Sequence, residues 1–339
     1  MIIKKWHSGS FEKYNSLVLA MDIGGTNTKM GILNVKKNKL KIIKLSCLKT
    51  SQIRDLGQTI NKFIASNPIG KIKSACLAVA GIVSEKSAVM TNSTLRIDKR
   101  RIIKKTGIKN IRLVNDFEAL GYAINILSKK DIKIIKKGAA AKKAPVVVIG
   151  AGTGLGKSTV IYDRNLGFYR PLPSEAGHMD FAAESRDELE LADFVKTGGN
   201  AYYEQLLSGN GLVNIYLFLK DKNKGTKYTK EIEKSLKPEL ISKYRKKDKT
   251  CRLAFDTFKR IYARFAKNCA LDSLAYSGIY IAGGIAKKNQ DIFDKEFARV
   301  FEGSHKFRYF LSKMPIYLII NENAGLLGAG FAASLKDKI

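Results

Sequence analysis

Residues 17–29, LVLAMDIGGTNTK, contain the pattern that decides the fold. The apolar run predicts a buried strand that ends at Asp22, and the alternating residues after the turn predict a second strand. Between the two strands lie two glycines, Thr26 and Asn27. Glycine lets a backbone approach a phosphate closely, and threonine and asparagine side chains donate hydrogen bonds to it. A plain Gly-Gly hairpin would contain the same glycines, but the flanking Thr and Asn favour a phosphate-binding turn.

The same order of strand, glycine-rich turn and strand recurs at residues 145–162. The turn, GAGTGLGKS at 150–158, ends like a P-loop. A P-loop must open a helix, however, and the TVIYD that follows here is β-branched and favours a strand. A third glycine pair follows the apolar run at 279–282. Two strand–turn–strand units and a Gly-Gly element predict a duplicated α/β fold around a nucleotide.

The apolar spacing elsewhere predicts alternating helices and strands. Helices are predicted over 52–64, 117–127, 255–269 and 324–333, and strands over 41–47, 74–82, 111–114, 279–282 and 316–320. The basic segment 129–144 has no apolar period and is predicted to be a loop or a crossover between domains.

The charge of the chain is strongly positive, with 61 Lys and Arg against 30 Asp and Glu, a net +31. The basic residues are spread along the whole chain, and no aromatic-rich RNA-binding motif accompanies the densest stretch at 220–249. The pattern therefore favours a solvated enzyme surface over a specific nucleic-acid partner. Any DNA or RNA binding is expected to be non-specific and to weaken steeply with salt.

The spacing of the cysteines and the distribution of apolar residues indicate the cellular compartment of the protein. The four cysteines are far apart, without a Cys-x-x-Cys pair, which speaks against zinc fingers and a disulfide framework. No apolar run reaches the length of a membrane helix, and the lysines near the N-terminus precede no apolar signal core. The expectation is a cytoplasmic protein without a membrane partner.

Several polar residues stand where strands and turns end. Asn115 and Asp116 follow a predicted strand, and Asp116 could simply cap the next helix. Glu175 and His178 lie three residues apart, and Glu204 would by default be a solvated carboxylate on a helix. Carboxylates, an amide and an imidazole are the groups that bind several hydroxyls of a sugar. Asp22 in addition suits Mg²⁺, which takes few carboxylates and keeps several waters.

Eight segments in this order resemble those of the bacterial ATP-dependent glucokinases, in the actin/hexokinase/Hsp70 superfamily. They are DIGGTNTK, VMTNST, LVNDFEALGYAI, GAGTGLG, LPSEAGHMDFA, LLSGNGLVNIY, IYIAGGI and NENAGLLGAG, which together span residues 22–330. The cysteine-rich zinc motif of the repressor-related sugar kinases is missing from the sequence, so the resemblance is to the zinc-free branch.

The resemblance implies a role for each matching residue. Asp116 matches the catalytic base. The matches to glucose ligands are Asn115, Asp116, Glu175, His178 and Glu204, with Asn92 as a weaker candidate. The matches to nucleotide motifs are Asp22, Gly24, Gly25, Thr26 and Asn27 in the first phosphate turn, Gly152, Thr153, Gly154 and Gly156 in the second, and Gly283 and Gly284 in the adenosine motif. Asp22 is also the implied magnesium residue, through water.

The implied fold is the two-lobed actin/hexokinase-like (ribonuclease H-like) α/β fold with a ligand cleft between the lobes. The small lobe is expected over 1–128 plus about 322–339, and the large lobe over 129–321 with helical insertions. Since the matching sugar ligands come from both lobes, the lobes are expected to close on glucose. The first sixteen residues are an extension relative to the family.

The implied reaction is transfer of phosphate from ATP, with Mg²⁺, to the 6-hydroxyl of glucose, in a chain compatible with a homodimer. The alternatives are a kinase for a related hexose such as mannose or an amino sugar, and a non-catalytic sugar sensor. Three positions depart from the family pattern: Ala176 stands where a glycine is expected, Leu95 where an aromatic is expected, and Lys157 where an uncharged residue is expected. Lys157 is either an added phosphate-binding cation or a strand lysine that faces solvent.

Overall fold

The computed structural model describes residues 16–36, 39–90, 93–223 and 225–335. These residues form two compact units. The first unit comprises the described residues of 1–128, 163–172 and 321–339, and the second comprises those of 129–162 and 173–320.

The first unit is built on a five-stranded sheet of order β3-β2-β1-β4-β8. A three-stranded sheet of order β5-β6-β7 is formed by the residues between β4 and β8 in the sequence. The strands are β1 Leu17–Ile23, β2 Asn27–Lys36, β3 Lys39–Lys49, β4 Ile72–Val79, β5 Gly81–Val83, β6 Ser87–Met90, β7 Arg96–Asp98 and β8 Asn110–Asn115. The helices are α1 Leu56–Ala65, α2 Lys99–Thr106, α3 Asp116–Ala123 and, from the end of the chain, α12 Ala324–Ser334. Strands β1, β4 and β8 are parallel, whereas β1, β2 and β3 are antiparallel.

Strand β1 is buried on both faces, which explains its unbroken apolar sequence. Because successive side chains point to opposite faces, Leu17, Leu19 and Met21 enter one core cluster with α1. Val18 and Ala20 enter the other with α12. Helix α12 is rich in glycine and alanine, which permits close approach to its neighbours.

The second unit contains eight α-helices in its described part and most of a six-stranded sheet of order β12-β11-β10-β13-β14-β9, of which residues 163 and 168–172 are assigned to the first unit. The strands are β9 Ile132–Lys136, β10 Val146–Ala151, β11 Leu155–Asp163, β12 Phe168–Ser174, β13 Gly278–Ala282 and β14 Ile316–Ile319. The helices are α4 Arg186–Val195, α5 Gly209–Lys220, α6 Thr229–Ser235, α7 Pro238–Tyr244, α8 Lys249–Ser273, α9 Gly284–Lys288, α10 Lys295–Phe301 and α11 Arg308–Lys313.

Helix α8 is the centre of the second unit and confirms the predicted long buried helix. Its Phe258, Tyr262 and Phe265 are fully buried in the core cluster. Asp248 is its N-cap, since the Asp248 carboxylate accepts a hydrogen bond from the Cys251 N–H at 2.8 Å.

The prediction of a loop over 129–144 was wrong, because residues 132–136 form β9 and pair with β14. The lysines of this segment made its sequence look polar and solvent-exposed, so no strand was predicted. In the structure, however, Lys136 is buried. Its ammonium donates to the carbonyls of Leu311, Ser312 and Met314 at 2.6–3.2 Å and pairs with Glu302 at 3.2 Å. A fully satisfied ammonium can be buried in a strand without an orphaned charge.

Three predicted boundaries also needed correction, the first being that of the helix predicted over 117–127, which ends at Ala123. The strand predicted over 74–82 ends at Val79, and Gly81–Val83 joins the small sheet instead. The helix predicted from residue 52 begins at Leu56, because Asp55 caps it by accepting the Gln58 N–H at 2.9 Å. Among the described residues, no helix is both long and apolar enough to cross a bilayer.

Candidate active site

The first glycine turn joins β1 to β2 and is held by Thr50. The Gly24 N–H donates to the Asn27 carbonyl at 3.0 Å, which closes the turn. The Thr50 hydroxyl donates to the Gly24 carbonyl at 2.6 Å, and the Thr50 N–H donates to the Thr26 carbonyl at 3.0 Å. Thr26 and Asn27 stay exposed at the tip, while the Asn27 side chain accepts from Lys49 at 3.0 Å. Hydrogen bonds thus hold the backbone carbonyls of the turn in place, while the residues at its tip remain exposed to solvent.

Asp22, at the end of β1, lies against the start of α12. A Cβ added at Gly325 would lie 2.8 Å from Asp22 Oδ2, so only glycine fits there without displacing the carboxylate. Lys29, opposite Asp22 on β2, donates to the Glu322 carbonyl and to Asn323 Oδ1. The NENAGLLGAG segment therefore supports the first turn, a role that was not predicted from the sequence.

Asp22 is the residue predicted to hold magnesium through water. The described part of the chain contains no group of three or more His, Cys, Asp or Glu side chains that could hold a metal. Mg²⁺ keeps most of its waters and binds substrate phosphates, so one carboxylate beside a glycine turn is chemically compatible with it.

The Asn115–Asp116 pair ends β8 at the same edge of the sheet as Asp22. The strand register aligns Ile23, Val79 and Asn115 across β1, β4 and β8. Two inter-strand steps of about 4.8 Å separate the outer positions by roughly 10 Å. The parallel strands thus bring the first glycine turn and the Asn115–Asp116 pair, both predicted as site residues, to one edge of the first unit.

Asn115, not Asp116, caps α3, which corrects the N-cap reading of Asp116. The Asn115 side chain accepts the Phe117 N–H at 2.8 Å, and the Glu118 carboxylate accepts the Asn115 N–H at 3.3 Å, which together form a capping box. The Asn115 amide also donates to the Gly81 carbonyl at 3.1 Å. Asp116 is the first helical residue, and its Oδ1 accepts the Phe117 N–H at 3.0 Å.

Glu118 makes the stability of α3 sensitive to pH. Burial raises the pKa of the Glu118 carboxyl to about 7 from an ordinary 4.5, although the Asn115 N–H and Arg112 favour its charged form. The other titratable groups that face Glu118 are the Cys76 thiol and the Tyr122 hydroxyl.

Between about pH 4.5 and 7 the folded state holds a proton that the unfolded chain has released, so the free energy of unfolding falls as pH rises. Glu118→Gln keeps a capping side chain but carries no charge to desolvate. We expect it to raise the thermal midpoint relative to wild type more at pH 8 than at pH 5. Thermal unfolding at both pH values checks this, and an effect independent of pH would contradict it.

The second glycine turn is the tip of the β10–β11 hairpin, which rules out a P-loop at this position. The Gly152 N–H donates to the Gly154 carbonyl at 2.8 Å, and the Gly209 N–H, at the start of α5, donates to the Gly152 carbonyl at 2.8 Å. Thr153 is exposed at the tip, and Gly156 pairs with Gly150 just below it.

The Gly283–Gly284 pair lies beside this turn, because β13 is parallel to β10 and ends at the same edge. Gly283 has φ +94°, and a Cβ there would collide with the Ala151 carbonyl. Gly284 begins the short helix α9. The structure therefore brings the predicted second phosphate turn and adenosine motif together within the second unit.

Glu204 lies directly under the second turn. Its carboxylate Oε2 accepts the Leu155 N–H at 2.7 Å. From the sequence, Glu204 was predicted by default to be a solvated helical carboxylate, whereas this contact joins residues 49 positions apart. No local pattern indicates it.

Glu175 precedes a short 3₁₀ helix, His178 is the last residue of that helix, and both are exposed. The His178 N–H donates to the Glu175 carbonyl at 2.9 Å, and the His178 ring stacks on Tyr202, with ring centroids 5.1 Å apart. Gly177 packs on the Leu155 carbonyl, where a Cβ would collide. The second turn therefore contacts both segments predicted to bind sugar in this unit, and Tyr202 is a supporting residue that sequence reasoning missed.

Two of the three departures from the family pattern are accommodated by packing. Ala176, in place of glycine, is 3% exposed and belongs to the core of the second unit. Leu95, in place of an aromatic residue, packs partly buried against a core cluster of the first unit. Asn92, the weaker sugar-ligand candidate, lies outside the described residues.

Lys157 matches neither of its two sequence interpretations. Its side chain is only 7% exposed, and its ammonium pairs with Asp272 on α8 at 2.6 Å. That pairing holds the pKa of the Asp272 carboxyl below its usual range.

We therefore expect Lys157→Met, which keeps most of the apolar stem, to leave the KM for ATP within about twofold of wild type. A coupled kinase assay at varied ATP measures this. A several-fold rise in that KM alone would instead assign the ammonium to the nucleotide.

Comparison with known proteins identifies the family. The glucokinase family model matches residues 19–336. The curated glucokinase of Nostoc sp. strain PCC 7120 is 32% identical over 341 residues, which cover 94% of this chain and 99% of that protein.

Solved structures share the fold. A glucokinase from an Antarctic psychrotroph has a TM-score of 0.81 at 23% identity, covering 94% of this chain and 98% of the other. The glucokinase of Balamuthia mandrillaris, solved with glucose, has a TM-score of 0.79 at 21% identity, covering 94% and 93%. These neighbours have the two-lobed actin-like architecture, and by its sequence match this chain belongs to the glucokinase family.

Proposed function

We propose that this protein transfers the γ-phosphoryl group of ATP to the 6-hydroxyl of glucose, giving glucose 6-phosphate and ADP. The observation that carries the proposal is the glucokinase match over residues 19–336, which includes both glycine turns and the Asp116 carboxylate.

Asp116 is the proposed general base, which accepts the proton of the sugar hydroxyl. Phosphoryl transfer passes through a loose transition state, so catalysis depends mainly on positioning and on neutralising charge. The proton can leave late in such a reaction, and a carboxylate with an ordinary pKa near ~4 is a sufficient base. The Asn115–Glu118 capping box supports this role because it holds the first turn of α3 that carries Asp116.

The two glycine turns are the proposed phosphate sites. Residues 24–27 and 152–156 would lie against the ATP phosphates and present to them the backbone N–H groups that make no hydrogen bond within the protein, and Gly283–Gly284 would lie against the adenosine. Asp22 would hold Mg²⁺ through water, and the ion would neutralise charge on the phosphates. The supporting observation is that Gly325 leaves room for the Asp22 carboxylate at the end of β1.

Asn115, Glu175, His178 and Glu204 are the proposed glucose ligands, with Asn92 as a weaker candidate. Each would hydrogen-bond sugar hydroxyls. A sugar that lacks one of those hydroxyls loses a hydrogen bond to a polar or charged side chain, which contributes about 0.5–3 kcal/mol. Deoxy analogues of glucose are therefore expected to be poor substrates.

A coupled assay with ATP and a panel of hexoses tests the function. We expect the highest kcat/KM with glucose. A clear preference for mannose or an amino sugar would support the related-hexose alternative, and glucose binding without turnover of any hexose would support the sugar-sensor alternative.

A homodimer and a cytoplasmic location are the remaining proposals. All four cysteines lie in the described part of the chain as free thiols, three of them buried. Free thiols suit a reducing compartment, where glucose and ATP are both present. Sedimentation velocity would measure the assembly state.

A further inference from the structure

The Leu155 peptide links the second glycine turn to a proposed sugar ligand. Its N–H donates to Glu204 Oε2 at 2.7 Å. Hydrogen bonds from a backbone N–H to a carboxylate are charge-assisted and stronger than neutral ones. The Glu204 carboxylate is therefore held by the turn itself and not by a residue of its own segment.

Two glycines of the same turn differ sharply in what surrounds them. A Cβ built at Gly154 would lie 2.5 Å from Glu204 Oε2 and 3.2 Å from the carboxyl carbon. A Cβ built at Gly152 would meet nothing within 4 Å. Neither glycine has a positive φ, so alanine is compatible with the backbone at both positions. The position of the Glu204 side chain therefore requires glycine at residue 154 but not at residue 152.

We propose that Gly154 and the Leu155 N–H are positioning groups that hold Glu204 for glucose, so that the nucleotide-binding turn sets the affinity for sugar. The inference rests on the proposed role of Glu204 as a glucose ligand. A glutamate fixed before binding loses less side-chain entropy when the sugar arrives, which strengthens binding. An alanine at 154 would push the flexible carboxylate away from Leu155 and abolish this preorganisation.

Isothermal titration of the purified variants with D-glucose, in the absence of nucleotide, tests the proposal. Binding is measured instead of turnover because both glycines belong to the proposed phosphate turn. We expect Gly154→Ala to weaken glucose binding at least about fivefold, whereas the matched control Gly152→Ala stays within about twofold of wild type. In a Glu204→Ala background, where the carboxylate is gone, Gly154→Ala should add no further loss, as expected for directly coupled residues.

The outcomes separate this inference from the proposed function. If Glu204→Ala leaves glucose affinity unchanged, Glu204 is not a ligand, and both the proposed role of Glu204 and this inference are wrong. If Glu204→Ala weakens binding but Gly154→Ala behaves like Gly152→Ala, only the inference is overturned. If Gly154→Ala alone fails to fold, recovery of the fold with Glu204→Ala supports the contact, and failure in both backgrounds overturns the inference.

Discussion

Asp116→Asn is expected to lower kcat by at least about a hundredfold while the protein keeps its fold and still binds glucose. Asparagine cannot accept the proton of the sugar hydroxyl, and loss of a general base typically costs ~10² to 10⁴ in rate. Little stability should be lost, because the cap of α3 is Asn115 and its capping box with Glu118 remains. Steady-state kinetics and a thermal melt measure the two effects separately.

Asp98→Asn is the matched control for this experiment. Asp98 caps α2 in the same unit by accepting the Arg101 N–H at 2.8 Å, and asparagine caps about as well as aspartate. This variant should keep wild-type kcat. A near-normal kcat for Asp116→Asn would remove Asp116 from the mechanism.

Arg264→Ala is expected to destabilise the second unit by about 3–5 kcal/mol, the usual cost of breaking a buried ion pair. The Arg264 guanidinium, 8% exposed on the side chain, donates to Glu188 at 2.7 Å and to Glu184 at 3.0 Å. Glu188 has a side chain only 11% exposed and would lose its positive partner, keeping only the hydrogen bond from the Glu184 N–H at 2.9 Å. Urea unfolding followed by circular dichroism measures the loss.

The double variant Arg264→Met/Glu188→Leu tests the cause of that loss. Replacing both residues with apolar side chains of similar volume leaves no orphaned charge but removes the acceptor of the Glu184 N–H, so a large part of the lost stability should return. Arg186→Ala, which removes an exposed partner of Glu190 on the same helix α4, should leave the unfolding midpoint unchanged. A small effect for Arg264→Ala would show that Glu188 reaches water without its partner.

The sequence predicted the fold where one physical pattern dominated. The β1 strand and its turn were predictable because an apolar run ends abruptly in two glycines. The β9 strand was not, because its lysines masked a pairing with β14, more than 170 residues away along the chain. Lys136 is satisfied by carbonyls whose positions depend on the tertiary fold.

Prediction of the candidate site from the sequence was limited in the same way. Residue types indicated a carboxylate at Asp116, but the choice between Asn115 and Asp116 as helix cap depends on a single-residue register. The contact of Glu204 with the second turn, and the pairing of Lys157 with Asp272, join segments far apart in the chain. A pattern within one segment carries no information on such contacts.

The most direct test of the account is the product formed by the wild-type protein from ATP, Mg²⁺ and glucose. Phosphorus NMR of the reaction should show loss of the γ-phosphate of ATP and the stoichiometric appearance of a phosphomonoester coupled to the two protons on C6 of glucose. Absence of any glucose-dependent phosphomonoester, from folded protein at saturating ATP and glucose, would contradict the account.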